Sequence, residues 1–306
     1  MEKAALTLLV SCLSCFPLGA AEAAKPVQAA KPSRPREIYA FCMDTHDSRK
    51  RSLQEQAELL KELGYAGAGH LWLDGLADRI RSLDASGLKL FQVYFRVDLS
   101  AEAKQPYDPR LKEALPLLKG RGTQIAVLVG GGKPSDVSLD PRAVEILREI
   151  ADLARPHGVG IALYPHVNDW LERVEDGVRV AKKVDRPNVG VMFNLCHWLK
   201  VADEKDLKPL LKLAGPLLVA VSINGADRAV DVRSGKGSMI LPLGQGAFDM
   251  RAFLDALEEA GYVGPVGLQC YGLPGDARDH LASSMEAWRK LLEKGGGSKG
   301  PESSSR

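Results

Sequence analysis

Along almost the whole chain short apolar runs alternate with longer stretches of helical period, and this alternation restricts the fold more than any single residue does. Strand-like runs cover residues 38–42, 66–71, 88–95, 124–129, 160–164, 189–194, 217–223 and 266–271. Stretches with apolar residues spaced by three and four cover residues 52–63, 76–86, 111–118, 141–154, 171–184, 206–213, 249–260 and 276–292. Each strand is therefore followed by a helix. That order is expected of an α/β chain closing into a single (β/α)8 TIM barrel, because parallel neighbours need a crossover and a helix is the usual one. A doubly wound open sheet is the alternative. Gly64, Gly87, Gly158, Gly215 and Gly261 fall just after helices, as C-terminal caps do, and Pro141 suits a first helical turn. Gly130, Gly131 and Gly132 follow a strand but make neither a G-x-G-x-x-G nor a GK[ST] loop, so they are read as a turn or a close backbone approach, without nucleotide binding.

The ends separate from this pattern. Residues 1–24 read as a secretory signal, with Lys3 before an apolar stretch and Ala21-Glu22-Ala23 as an A-x-A cleavage site. The apolar stretch is shorter than the ~20 residues a membrane-spanning helix needs, so no membrane span is expected. The mature chain is expected in the periplasm or outside the cell. Leu9-Val10-Ser11-Cys12 offers a lipoprotein box as the lesser alternative. Residues 25–36 read as a linker, 37–294 as the barrel and 295–306 as a tail. With 45% hydrophobic residues the barrel segment has ample material for a core. Lys and Arg total 41 against 39 Asp and Glu and are scattered, which leaves no basic stripe for nucleic acid. Cys12 and Cys15 leave with the signal, and Cys42, Cys196 and Cys270 form no CxxC pair, so each is read as a buried structural thiol.

In a parallel barrel the chemistry sits at the C-terminal ends of the strands. Strand one there ends in Cys42, Asp44 and His46, strand two in His70, strand three in Tyr94-Phe95-Arg96, and strand five in Tyr164-Pro165-His166. Strand six runs into Asn194-Leu195-Cys196-His197, strand seven into Ser222-Ile223-Asn224 with Asp227-Arg228 behind it, and strand eight into Gln269-Cys270-Tyr271. Four of the six histidines fall on this rim. The other two, His157 and His280, are read as solvent-facing or capping residues.

Three stretches carry a resemblance: residues 160–166 (GIALYPH), 186–197 (RPNVGVMFNLCH) and 261–269 (GYVGPVGLQ). In these the chain resembles the xylose isomerase-like barrel family, which holds sugar isomerases and epimerases and the endonuclease IV group. The resemblance implies the barrel fold and a sugar or polyol ligand at the rim. It also implies one divalent metal held by Glu, Asp, His and Glu at the ends of strands five to eight. This chain has Tyr164, Asn194, Ser222 and Gln269 at the matching places, while the histidine three residues after the strand-six position is kept as His197. Hard cations need carboxylate charge to offset their dehydration. The expectation is therefore no metal and no other cofactor, a divalent ion being disfavoured.

With the paired carboxylates gone, removing a proton beside a carbonyl needs another base. His166 and His197 are the candidates, because a neutral imidazole titrates near the working pH. Tyr164 or Tyr271 is the candidate acid, and Asn194, Asn224 and Gln269 are candidate donors to a developing enolate oxygen. Ser222, His46 and His70 are added as hydroxyl-recognising groups, Arg228 as a holder of an anionic or hydroxylated group, and Trp198, with Trp170, as a face for a sugar ring. The expected partner is a small carbohydrate. The expected activity is an isomerase, an epimerase or a keto-glycoside lyase, with a non-catalytic sugar-binding barrel as the alternative. A glycosidase is disfavoured, since the rim offers only Asp44 and Asp227 as a carboxylate pair.

Overall fold

The computed structural model describes residues 36–293. The expected signal over 1–24, most of the linker and the tail lie outside the described residues. Eight parallel strands close in sequence order: β1 (Ile38–Phe41), β2 (Gly67–Leu71), β3 (Lys89–Asp98), β4 (Gln124–Gly130), β5 (Gly160–Leu163), β6 (Val189–Asn194), β7 (Leu218–Ile223) and β8 (Val266–Gln269). Closure is made by β1 on β8, with Ile38 opposite Val266 and Phe41 opposite Gln269. This excludes the open doubly wound sheet.

The helices are α1 (Leu53–Leu63), α2 (Leu76–Ser86), α3 (Leu111–Leu118), α4 (Asp140–Ala154), α5 (Val174–Val184), α6 (Leu195–Val201), α7 (Leu207–Ala214), α8 (Ala229–Ser234), α9 (Met250–Glu259) and α10 (Ala277–Glu293). The long periodic stretches became α1 to α5, α7, α9 and α10. The short helices α6 and α8 were not expected. Helix α5 starts at Val174 rather than 171, and β3 continues to Asp98. Gly64 ends α1 in the left-handed conformation at φ 89°, as its cap role requires, but Gly215 has φ −43° and leads α7 into a further tight turn. In the glycine triplet, Gly131 has φ 79°, and a Cβ there would lie 2.0 Å from the Asp98 carboxylate. The triplet thus allows the loop after β4 to pack against the loop after β3.

Alternate residues point to opposite sides of the sheet. Outward-facing side chains join the helices in one large apolar core, which includes Val93, Ile125, Val127, Leu163 and Val191. Inward-facing ones fill the barrel: Tyr39 and Phe41 on β1, Tyr94 on β3, Ala126 and Leu128 on β4, Ala162 on β5, Met192 on β6 and Ala220 on β7. Bulk on β1 and β3 is matched by small residues elsewhere, as filling a narrow barrel demands. A Cβ on Gly267 of β8 would lie 2.8 Å from the Tyr39 ring.

Asp47, in the loop after β1, ties the seam to the last helix. Its carboxylate accepts from Arg49 N–H, Arg51 N–H, the Arg51 guanidinium at 2.9 Å and Ala277 N–H at the start of α10. Arg51 also reaches Asp276 at 2.6 Å. Burial opposes the charge on Asp47, but these donors outweigh it and hold the carboxyl below the usual carboxylate range. Asp47→Ala leaves buried donors without an acceptor and is expected to lower unfolding free energy by about 3–5 kcal/mol, measured by urea titration. A loss under about 1 kcal/mol, the range of an exposed pair, would show that the seam does not depend on it.

Candidate active site

A cavity of about 600 Å³ opens at the C-terminal end of the barrel. Its inner wall is built from inward positions of the strands, Phe41, Tyr94 and Leu128, with Tyr164 and Gln269 beside them. Arg96, His166 and His197 stand above, and Trp72, Met239, Ile240 and Tyr271 complete the lining toward the mouth.

Tyr164 follows β5 and is buried. Its phenol oxygen accepts from the Asn194 side-chain amide at 2.6 Å. Burial pushes the phenol far above its ordinary pKa, with Gln269 close enough to act in the opposite direction, so Tyr164 keeps its proton and serves as a donor. Gln269 accepts from Tyr271 N–H at 3.0 Å, which turns its amide N–H toward the phenol. Asn194 caps α6: its carbonyl oxygen accepts from His197 N–H and from the Cys196 thiol at 2.9 Å. That cap makes the chain turn from β6 into a helix within one residue and sets the direction of His197.

The rings of His166 and His197 lie 3.9 Å apart, centroid to centroid. His166 Nδ1 is 2.9 Å from the Val167 carbonyl oxygen, so it carries the proton and leaves the Nε2 lone pair free. Asp169 lies 3.7 Å from the same Nδ1 and is held by Arg96 at 3.1 Å. Burial lowers the His166 pKa, and the Asp169 charge acts against it. His197 is held well below the ordinary imidazole value, first by burial and then by His166. Its Nδ1 is sealed from solvent without a partner, so Nε2 is the nitrogen left for the cavity. Both rings are neutral at neutral pH, and a proton on one raises the cost of a second on the other.

The other candidates divide. Tyr271 lines the cavity, and His46 stands outside it, edge-on to Tyr271 at 5.4 Å. Ser222 has the inward parity but is fully buried, with its hydroxyl unpartnered and outside the lining. Asn224 is buried and donates to the Gly225 and Met239 carbonyls, so it fastens a loop. Arg228 is exposed, 3.6 Å from Glu204, away from the cavity. His70 is buried, with Nε2 2.9 Å from the Asp74 carbonyl oxygen and Nδ1 facing Arg79 at 3.5 Å. Trp198 packs on Phe193 at 5.7 Å, and Trp170 is buried with its N–H on Asp136 O, so both are core. His280, read as a solvent-facing or capping residue, is buried. Cys42, Cys196 and Cys270 are free and buried as expected, burial pushing the Cys196 thiol up to about 12; Cys42 also lines the cavity. Sequence reasoning gave no site role to Arg96, Asp169 or Trp72. The first was visible as a strand end, whereas the other two stand in loops with no pattern to mark them.

A family model described as xylose isomerase-like TIM barrel matches residues 44–291. A 3-dehydroshikimate dehydratase of Pseudomonas aeruginosa is 26% identical over 257 residues, 79% of this chain and 39% of the relative. An inosose isomerase of Bacillus velezensis is 28% identical over 131 residues, 42% of this chain and 46% of the relative. The chain thus spans less than half the length of these curated relatives. The crystal structure of IOLI protein with a binding zinc atom superposes with a TM-score of 0.67 at 20% identity, covering 84% of this chain and 98% of that one.

That structure corrects one expectation. A barrel of this fold was solved with zinc bound, so the reading of a site without a metal cofactor does not stand. The donor set of this chain is a separate matter. Among the described residues no three or more His, Cys, Asp or Glu side chains group so as to hold a metal ion. Tyr164 and Asn194 bond to each other, Ser222 is sealed in, and Gln269 is a neutral amide. These four do not fit a hard divalent cation.

The buried imidazole gives a pH test. His197 is neutral in the fold and free to protonate in the unfolded chain, so its contribution to stability is complete above the free-imidazole pKa and is lost as pH falls toward the folded value. His197→Gln removes this term. Between about pH 7 and about pH 5 the variant is expected to lose less unfolding free energy than the parent, measured by denaturant titration at each pH. Equal losses would mean that His197 titrates normally.

Proposed function

The chain belongs to the xylose isomerase-like TIM barrel family, and we propose that it is a sugar-acting enzyme of the isomerase, epimerase or dehydratase kind that removes a proton from the carbon beside a carbonyl. The observation that carries this is the pair of neutral histidine rings 3.9 Å apart on the wall of a closed-ended cavity, next to a phenol that keeps its proton. The named activities of the two relatives, an isomerase and a dehydratase, support the same class.

The groups fit the steps. His166 Nε2 takes the proton from carbon, and the electron pair moves onto the carbonyl oxygen, making an enolate. Tyr164 O–H and the Gln269 amide donate to that oxygen where its charge develops. The proton now on His166 returns from that ring or, passed to the neutral His197 ring 3.9 Å away, from the second ring, while Asp169 and Arg96 hold His166 in place. Return to the neighbouring carbon gives isomerisation, return to the opposite face gives epimerisation, and loss of a group from the next carbon gives dehydration or, from a keto-glycoside, lyase activity. The leader expected over residues 1–24 supports action outside the cytoplasm.

A non-catalytic sugar-binding barrel is the second reading, favoured by the neutral donors at all four positions where the resemblance implies metal ligands. Solvent-deuterium incorporation beside the keto group separates the two, run on a panel of keto-sugars and oxidised glycosides. Exchange is expected with the parent chain, slowed by about 10²-fold or more in His166→Ala or His197→Ala. If a sugar shown to bind gives neither exchange nor product above the variants, the protein is a binder.

A further inference from the structure

The cavity has two unlike sides. In the closed strand order, the loops after β3 to β6 follow one another around one arc of the rim, and those after β7, β8, β1 and β2 around the other. The first arc supplies Arg96, His166 and His197. The second supplies Trp72, Met239, Ile240 and Tyr271, its polar exceptions being Ser238 and, at the strand ends, Gln269. Phe41 of β1, below the second arc, stacks at 5.1 Å on Tyr94 of β3, so the aromatic floor of the cavity runs under both arcs and the two sides differ at the mouth.

The apolar arc is open to solvent and held in place. Trp72 is 41% and Tyr271 54% exposed, and they are the only aromatic side chains among the large exposed hydrophobic residues described. Exposed apolar surface that gathers at one cavity mouth marks a binding surface, whereas single scattered residues do not. Trp72 sits at φ 65°, a conformation rare for a bulky residue, and its N–H donates to the Tyr94 carbonyl at 3.1 Å. Met239 and Ile240 belong to a loop pinned to the end of β7. Asn224 donates to the Met239 carbonyl at 2.8 Å, Gly225 and Leu241 exchange two backbone bonds, and Asp227 N–H donates to the Ser238 carbonyl at 2.9 Å. The backbone strain at Trp72 and this fastening keep the apolar groups beside the cavity rather than folded away.

We propose that this arc is a subsite for an apolar, planar group attached to the sugar, so that the substrates are glycosides of aromatic aglycones and not free monosaccharides. The proposal rests on the sugar-acting reading. A free sugar carries hydroxyls around its whole rim, and those facing Trp72, Met239 and Ile240 would lose water without gaining partners. A glycoside places its hydroxylated ring against His166 and His197 and its aglycone between Trp72 and Tyr271, where aromatic faces bind planar groups by stacking. The cavity volume of about 600 Å³ lies within the roughly 300–1,000 Å³ typical of small-molecule sites.

Calorimetric titration of the full chain tests this with phenyl β-glucoside, methyl β-glucoside, their keto derivatives, and phenol. The phenyl glycosides are expected to bind about tenfold tighter than the methyl ones. Trp72→Ala and Tyr271→Ala are each expected to lower the affinity for phenyl glycosides and to narrow that ratio; both positions are solvent-exposed, and circular dichroism checks that the variants are folded. Equal affinity for phenyl and methyl glycosides, a ratio that survives both substitutions, or no binding of any glycoside overturns the proposal. If phenol alone binds as tightly as phenyl glucoside, the part that fails is the sugar-acting reading itself.

Discussion

The pairing of β1 with β8, four residues on four, is the constraint on which the site depends. Only a closed sheet brings the ends of all eight strands to one rim, and only then do β5 and β8 bring Tyr164 and Gln269 to one cavity, with Asn194 of β6 bonded to Tyr164 and itself buried outside the lining. Closure also forces inward side chains to share a narrow volume. The aromatic rings of β1 and β3 occupy one side of it because β7 and β8 present Ala220 and Gly267. The cavity begins where this filling stops. Asp47 adds the outer fastening by holding the start of α10 against the loop after β1.

Within the cavity, burial has different consequences for different groups. It raises the pKa of the Tyr164 phenol and lowers those of the two imidazoles, so that at neutral pH the phenol is protonated and both rings are free bases. Acid and base thus stand side by side, without a carboxylate among the described residues that line the cavity. Asp169 stays behind His166, tied to Arg96, and acts on the ring and not on the ligand. At these site positions the resemblance implies three carboxylates and an imidazole. Here they have become a bonded Tyr–Asn pair, a sealed serine and an amide, which changes what the rim can hold.

The fold was legible in the sequence because short apolar runs and stretches of period 3.6 alternate eight times, with glycines after many of the helices. The two helices that escaped, α6 and α8, have 7 and 6 residues, too short for a period to register. Helix α6 exists because Asn194 caps it, and that residue was read for its strand position alone. Its place at the end of a strand marked Ser222 as a rim residue but could not show that packing seals it. His70 has a rim position in the sequence, but Arg79, nine positions later on α2, stands beside its ring and holds it in the wall. Trp198 and Trp72 show the same limit in opposite directions. One tryptophan after a strand is core and the other stands at the cavity mouth, and only the three-dimensional neighbours decide which.

The central claim is that His166 and His197 form a neutral, ligand-facing pair. Proton NMR titration of the imidazole Cε1–H resonances, assigned with single-histidine variants and repeated with a bound sugar ligand, tests it most directly. Both rings are expected to titrate below the ordinary imidazole value of about 6.5, His197 furthest below, and both resonances to move when ligand is added. Rings that titrate at or above that value, and do not respond to a ligand shown to bind, would contradict it.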